Sequence, residues 1–304
     1  IMEGCSKYCT FCVVPYTRGE EVNRRFDDVL YEAFNLSKLG TREIVLLGQN
    51  VNAYRSYNHN QEQVSFSDLI RHISYIDGIS RIRHTTSHPI DFSEDLIKEY
   101  KNPKLANNLH LPVQSGSDTI LARMKRKHTV LEYKSIIKKI RKYRPDIHLT
   151  SDFIIGYPGE TDYEFTQTME FIAELNFSDA YSFIYSPRPG TPAASEKDDV
   201  SFEIKKRRLN ELQALIKEQS LKFSSKMLGT MQKVLVEGIS VKKTNEVTGR
   251  SFNNKVINFP ADKSLIGTFV EVLVTEVKGN TLYGEVSANQ FHKILDEKRV
   301  TVAN

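Results

Sequence analysis

Residues 1–19 read IMEGCSKYCTFCVVPYTRG and hold all three cysteines of the 304-residue chain, Cys5, Cys9 and Cys12, spaced C-x3-C-x2-C. An odd number of thiols cannot close into a disulfide set, which fits a reducing compartment better than a secreted one. Thiolates are soft ligands that favour zinc, copper(I) or iron–sulfur clusters. A structural zinc site needs four ligands, and the nearest histidine in sequence is His59. Three thiolates on a four-iron cubane leave one iron without a protein ligand, an open position of the kind that binds substrate in catalytic metal sites. On spacing alone, a set of redox-sensing thiols and a zinc knuckle completed by a distant histidine remain open beside the cluster.

The composition, 39% hydrophobic and 26% charged without tryptophan, is that of an ordinary globular chain, and its length suggests about two domains. No apolar run reaches the length of a membrane span, and no signal peptide pattern is present. The formal charge is +4 but unevenly spread: Ala122 to His148 carries ten Lys/Arg against two acidic residues, and residues 204–226 carry seven against two. Such stripes suit either a polyanionic partner or a solvated helix face. The start at Ile1-Met2, close before the first cysteine, is what a piece of a longer protein would show.

Outward from the cysteines, helix and strand patterns alternate. Apolar positions 26, 29, 30, 33 and 36 predict a helix ending at Gly40. REIVLLG, RIRHTTS, NLHLPVQS, IHLTSDFIIG and SDAYSFIYS predict strands. FSDLIRHISYI (capped at Ser65 or Ser67), SEDLIKEYK (capped at Ser93), DTILARMKR, VLEYKSIIKKIRKYR and ETDYEFTQTMEFIAELN predict helices. Five strand–helix steps with short connections make a parallel sheet, open or curved towards a barrel. SPRPGTPAASEKDD, 186–199, is a loop, and a long helix follows over 201–228. Beyond Gly229 the texture turns to β, with Gly279-Asn280 as a hairpin signal, so the expected domains are 1–228 and a small antiparallel barrel or sandwich at 229–304.

The cysteine motif, with Phe11 before its last thiol and a βα-rich chain behind it, resembles the radical S-adenosylmethionine (SAM) superfamily. GCSKYCTFCVVPYTRGEE, LLGQNVNAY, LPVQSGSDTILARMKR, DFIIGYPGET and YSPRPGTPAA, in that order, resemble the methylthiotransferases, and the C-terminal β region resembles their TRAM domain. LLGQNVNAY resembles the MiaB type, which acts on tRNA N6-isopentenyladenosine; the branch acting on a ribosomal-protein aspartate typically has Asp-Thr in place of Asn-Val here. The resemblance implies an α/β fold, a partial (β/α)6 radical SAM barrel followed by a TRAM barrel. It implies a [4Fe–4S] cluster on Cys5, Cys9 and Cys12, SAM chelating its open iron, and addition of a methylthio group at C2 of the adenine beside the anticodon. An adenine must leave its stack to react, and RNA readers prefer such unpaired loops.

From the same resemblance, Gly48 and Gln49 would face the SAM amino group, and Gln114 and Ser115 would offer polar contacts. Arg126 would meet the methionine carboxylate through its charged fork, Asp152 a ribose hydroxyl, and Phe11 counts with the cofactor site. Tyr16, Arg18, Arg24, Arg25 and Arg188 would contact RNA, joined by a barrel turn of Arg250, Asn253, Asn254 and Lys255. No residue is assigned a catalytic role. For each residue a structural reading stands alongside: Gly48 and Gly116 as turn glycines, Gln114 as a satisfied amide, Arg126 as one more surface base. A second [4Fe–4S] cluster is expected on an upstream domain, without which the full reaction cannot be completed. An electron-donor protein such as flavodoxin or ferredoxin, a monomeric state and a cytoplasmic location are further expectations. The competing readings are a methylthiotransferase acting on a protein aspartate and a non-catalytic, zinc-containing RNA-binding protein.

Overall fold

A computed structural model describes residues 1–241 and 245–286; the part of the expected C-terminal domain at 287–304 lies outside the described residues. Two compact units emerge, Ile1–Gln219 and Ser220–Asn304.

In the first unit the chain runs β1 (Met2–Glu3), α1 (Val14–Arg18), β2 (Val22–Asn23), α2 (Phe26–Lys38), β3 (Glu43–Leu46), β4 (Arg55–Tyr57), β5 (Gln63–Ser65), α3 (Phe66–Ser74), β6 (Arg81–His84) and α4 (Glu94–Glu99). It continues with β7 (Asn108–His110), α5 (Asp118–Arg123), α6 (Val130–Tyr143), β8 (His148–Ile155), α7 (Asp162–Leu175) and β9 (Asp179–Ile184). Several helices start where the sequence supplies caps. Ser65 and Thr129 close capping boxes with Asp68 and Glu132, and Ser93 accepts from the Leu96 N–H, satisfying donors that a first turn leaves orphaned. The short α1, the β1–β2 pair and the β4–β5 hairpin escaped the sequence reading, because elements of two to five residues carry too little period to register.

Strands β3, β6, β7, β8 and β9 are parallel, as the alternating pattern predicts. The ladder steps between β6 and β7. Ile82 bridges Leu105, with the Ile82 N–H donating to Lys104 O and the Ala106 N–H to Ile82 O, before β7 itself pairs with β8. One extended segment thus serves two neighbours in succession. At the other edge, Met2 and Glu3 pair antiparallel with Asn23 and Val22, and the Ile1 amino group donates to Leu47 O at 2.9 Å.

The two faces of the sheet differ. Ile82, Leu109, Leu149, Phe153 and Ile155 are buried against Ile70, Ile97, Ile137 and Phe171 of the helices. The alternate residues turn to the inner face: Glu43 with Arg81 and Arg83, then His110, Thr150, Asp152 and Ile154. A polar inner face behind an apolar outer one is the arrangement of a half-barrel that holds a ligand rather than a packed core.

Helix α8 (Phe202–Ser225) links the units. The second unit is a closed barrel of β10 (Met231–Ile239), β11 (Glu246–Ser251), β12 (Val256–Pro260), β13 (Phe269–Lys278) and β14 (Thr281–Val286), in the order β10-β11-β12-β14-β13. The β12–β14 pair is parallel and closes the ring, removing the free edges that a small sheet would otherwise expose. Its core gathers Val234, Val247, Phe259, Val272 and Leu282.

Candidate functional site

The cysteine loop is tied down at several points. Gly4 has φ +72°, and a Cβ there would sit 2.0 Å from Glu20 O, so only glycine lets the two strands of the loop meet where Cys5 N–H donates to Gly19 O. Thr10 is the central pin. Its N–H donates to Met124 O, its carbonyl accepts from the Ala193 N–H, and its hydroxyl donates to Arg123 O at 2.9 Å and lies 2.8 Å from the Tyr157 hydroxyl. Phe11 packs on the apolar cluster of Ile120, Met124, Tyr157, Tyr185 and Ala193. Lys7 reaches Asp91, whose carboxylate also accepts from the Asn50 amide at 2.7 Å, so one acid joins the cysteine loop to the Gln49–Asn50 segment.

All three thiols are free; Cys9 is buried and Cys5 and Cys12 are half-buried. Burial pushes the Cys5 and Cys12 thiols up, and each lies in the field of the neighbouring thiols. Arg126 lies against the loop: Nη1 is 3.5 Å from Cys9 Sγ, Nη2 donates to Pro112 O, and Nε is buried without a partner. Near it lie further buried polar atoms without partners among the described residues, His88 Nε2 and both ring nitrogens of His128; Gln49 Oε1 and Asn50 Oδ1, on the segment tied to Asp91, are likewise unmatched. The His88 and His128 rings are 5.8 Å apart. His88 Nδ1 accepts from the Ile90 N–H, which leaves Nε2 as the donor. Burial and the nearby Arg126 hold both imidazoles well below the usual range, His128 at about 4. Buried donors left open cost free energy unless something polar meets them.

The sequence-predicted residues fall into three groups. Cys9 and Arg126 are brought into contact. Gln114 takes φ +82°, an uncommon region for a side-chain-bearing residue, and exchanges backbone bonds with Asp152 and Ile154; the Asp152 carboxylate lies 3.5 Å from His110 Nε2. Gly48, Gln49, Arg18 and Arg24 line one cleft of about 630 Å³, where Gly48 packs on Met2. Tyr16 stands exposed with its ring edge-on to Tyr8, and Arg188 is exposed on its loop. Arg24 forms an ion pair with Glu32 at 2.7 Å.

Two of the sequence-predicted residues already have partners within the protein. The Ser115 hydroxyl meets the Ser117 N–H and the Thr168 hydroxyl, inside the contact where a Cβ on Gly116 would lie 2.6 Å from Thr168 Cα, and so joins β8's neighbourhood to α7. Lys255 is 4% exposed with its ammonium 5.7 Å from the Phe223 ring centre, and Asn253 beside it is buried too. Arg250 is half-buried and paired with Glu237 at 3.4 Å. Much of the basic stripes is likewise spent inside the fold: Arg141 and Arg144 donate to carbonyls at Leu175, Tyr100 and Asn102, and Arg208 pairs with Glu160 and Asp162. The residues missed were Thr10, His88, Asp91, His128 and Tyr157, which no spacing rule connects.

Among the described residues, no three His, Cys, Asp or Glu side chains converge as ligands of one metal ion. A single ion draws its ligands to one point, whereas an iron–sulfur cluster takes thiolates at separate corners. The donor set, three free thiols without an imidazole among them and a guanidinium against one sulfur, fits an anionic thiolate cluster.

Comparison with known proteins agrees. The profile of the Radical SAM superfamily matches residues 1–172 and that of the TRAM domain residues 225–287. Two relatives carry the name tRNA-2-methylthio-N(6)-dimethylallyladenosine synthase: one from Actinobacillus succinogenes, 58% identical, and one from Serratia proteamaculans, 59% identical. Each alignment covers 94% of this chain and 60% of the relative, so the chain spans about three-fifths of the length of the curated relatives it matches. Among solved structures, the radical SAM methyltransferase TsrM from Kitasatospora setae superposes with a TM-score of 0.51 at 16% identity, over 63% of this chain and 36% of that one. Coproporphyrinogen III oxidase HemN from Escherichia coli gives 0.50 at 14% identity, over 93% and 69%. With its thiol loop, its half-barrel of parallel strands and these matches together, the chain belongs to the radical SAM superfamily and carries a TRAM domain.

Proposed function

We propose that the chain is the cluster-bearing and RNA-binding part of a tRNA methylthiotransferase that modifies C2 of N6-isopentenyladenosine beside the anticodon. The observation that carries this is the free three-thiol loop with the Arg126 guanidinium against Cys9, in a chain 58% identical to a protein named for that reaction.

Cys5, Cys9 and Cys12 would hold a [4Fe–4S] cluster, which, with SAM at its open iron, supplies one-electron cleavage of the sulfonium bond. The chain's own contribution is positional. Thr10 and Asp91 hold the loop in place from both sides. Arg126 offers a charged fork for the methionine carboxylate, and its unpartnered Nε leaves capacity for one more acceptor. Asp152 accepts from a ribose hydroxyl, and Gln49 and Gly48 edge the amino-group side. His88 and His128, held neutral, add donors without adding charge. Tyr16, Arg18, Arg24 and Arg188, all on exposed segments, meet the RNA backbone. We assign the second cluster to sequence upstream of Ile1, reduction to a flavodoxin or ferredoxin, and a monomer in the cytoplasm; no described helix is long and apolar enough to cross a membrane.

Anaerobic reconstitution tests the site. About four irons and four sulfides per chain are expected, with loss of both in Cys9→Ala. One tightly bound zinc and no sulfide would favour a structural metal. About eight irons would contradict a single cluster on this chain. Nucleoside mass spectrometry of tRNA from a strain lacking the gene should show loss of the 2-methylthio mark; an intact mark with an unmodified ribosomal-protein aspartate would move the substrate to protein.

A further inference from the structure

We propose that Tyr181 and Phe183 form the platform on which the target base stacks after leaving its RNA loop, an assignment that rests on the tRNA reading above. Both lie on β9, the outermost strand of the β7-β8-β9 ladder, and they are 66% and 56% exposed. Large aromatic side chains standing open on an edge strand invite unwanted pairing, and natural sheets avoid them unless something covers them.

Their direction follows from register. Tyr181 pairs with Asp152 and Phe183 with Ile154 across a parallel ladder, and residues in register point to the same face. Phe153 and Ile155 of β8 are buried against the helices, so Asp152, Ile154, Tyr181 and Phe183 share the inner face. Ile154 in turn packs on the apolar cluster that receives Phe11 of the cysteine loop. The two rings therefore begin one strand away from the residues that anchor the thiols.

A hydrogen-bonding edge runs beside the rings. His110 Nδ1 lies 2.9 Å from Thr150 Oγ1, its Nε2 lies 3.5 Å from Asp152 Oδ1, and its ring meets Tyr181 edge-on at 6.2 Å. Two open π-faces flanked by an imidazole and a carboxylate suit a flat heteroaromatic with polar edges. A purine extruded from its stack has that chemistry, and aromatic platforms are how proteins hold unpaired bases. The open side of β9 lets the nucleotide enter without threading through the sheet.

The test uses the full-length enzyme and an anticodon stem-loop carrying 2-aminopurine at the target position, whose fluorescence falls when it stacks on an aromatic ring. The wild type should quench the probe. Tyr181→Ala and Phe183→Ala should each bind about tenfold more weakly with the quench reduced, and Tyr181→Phe should keep both. Alanine variants that bind and quench like the wild type overturn the platform while leaving the tRNA reading intact. A wild type that binds the stem-loop no better than a scrambled hairpin overturns the tRNA reading, and the platform with it. Alanine variants with unchanged quench but altered association with another protein would reassign the two rings to a protein interface.

Discussion

The hydroxyls of Thr10 and Tyr157 stand 2.8 Å apart, joining the middle of the cysteine loop to the chain just past β8 across 147 positions of sequence. The Thr10 hydroxyl donates to Arg123 O, and the Tyr157 hydroxyl also reaches the Glu196 carboxylate at 3.2 Å, so the two hydroxyls sit in one small network with a carbonyl and an acid. Thr10→Val takes a donor from the Arg123 carbonyl and one of two partners from the Tyr157 hydroxyl, which keeps Glu196, at a cost of about 2 kcal/mol; Tyr157→Phe removes the contacts to Thr10 and Glu196 at about 1–2 kcal/mol. Urea unfolding reads the stability. Iron retained after desalting reads the loop, and Thr10→Val should retain less. Full iron retention in that variant would show that the loop does not depend on this pin.

Arg126 gives a second prediction. Its contact with Cys9 is through one guanidinium nitrogen, while another holds Pro112 O. Arg126→Lys keeps the charge and loses the planar fork. SAM binding by equilibrium dialysis should weaken about tenfold, the equivalent of a single charge-assisted hydrogen bond, with iron content unchanged. A simultaneous loss of iron would instead make Arg126 a support of the cluster loop.

The buried pair of Arg208 and Glu160 makes a stability prediction away from the thiols. Their side chains are 3% and 1% exposed and meet at 2.9 Å, and the Glu160 carboxylate also accepts from the Gly156 N–H. Burial pushes the Glu160 carboxyl up more than Arg208 pulls it down. Arg208→Met strands that carboxylate and should cost about 3–5 kcal/mol, whereas adding Glu160→Gln should restore much of the loss. Chemical unfolding of the single and double variants measures the coupling; additive losses would mean the pair does not act as a unit.

His84 sets part of the acid limit. It is 3% exposed, edge-on to Phe66, with Nε2 3.2 Å from the Tyr100 hydroxyl, and burial together with the charge on His110 pushes it down to about 4 from 6.5. Above pH 6.5 both folded and unfolded chains hold it neutral, and its contribution to stability is complete. Between 6.5 and 4 only the unfolded chain takes up the proton, so stability falls by about 3 kcal/mol across that window. His88 and His128 shift in the same direction and add to the slope. His84→Gln should therefore remove about one proton from the uptake on unfolding over this range without abolishing it, measured by urea unfolding from pH 7 to 4. An unchanged slope would show that His84 is already accessible to protons in the folded chain.

What the sequence determined by itself was local chemistry and local period. Three thiols within eight positions, caps such as Ser65 and Ser93 at helix starts, and apolar runs of strand length are all expressed within a few residues, where propensity, capping and side-chain alternation act. That was enough for the parallel α/β order, the β-rich second unit and the gathering of all the thiols into one loop. Short elements such as β4 and β5 were lost because three residues carry almost no periodic signal.

Only the tertiary structure decided which polar groups are spent and which are left open. Lys255, Ser115 and Arg208 read in sequence like any lysine, serine or arginine; only the fold puts a ring, a neighbouring hydroxyl and a buried carboxylate beside them. Asp91 and Tyr157 join the thiol loop, His88 meets His128, and Tyr181 and Phe183 share a face with Asp152, through pairings between residues far apart in the chain. Burial and strand register are properties of the packed chain, and no local window of sequence contains them.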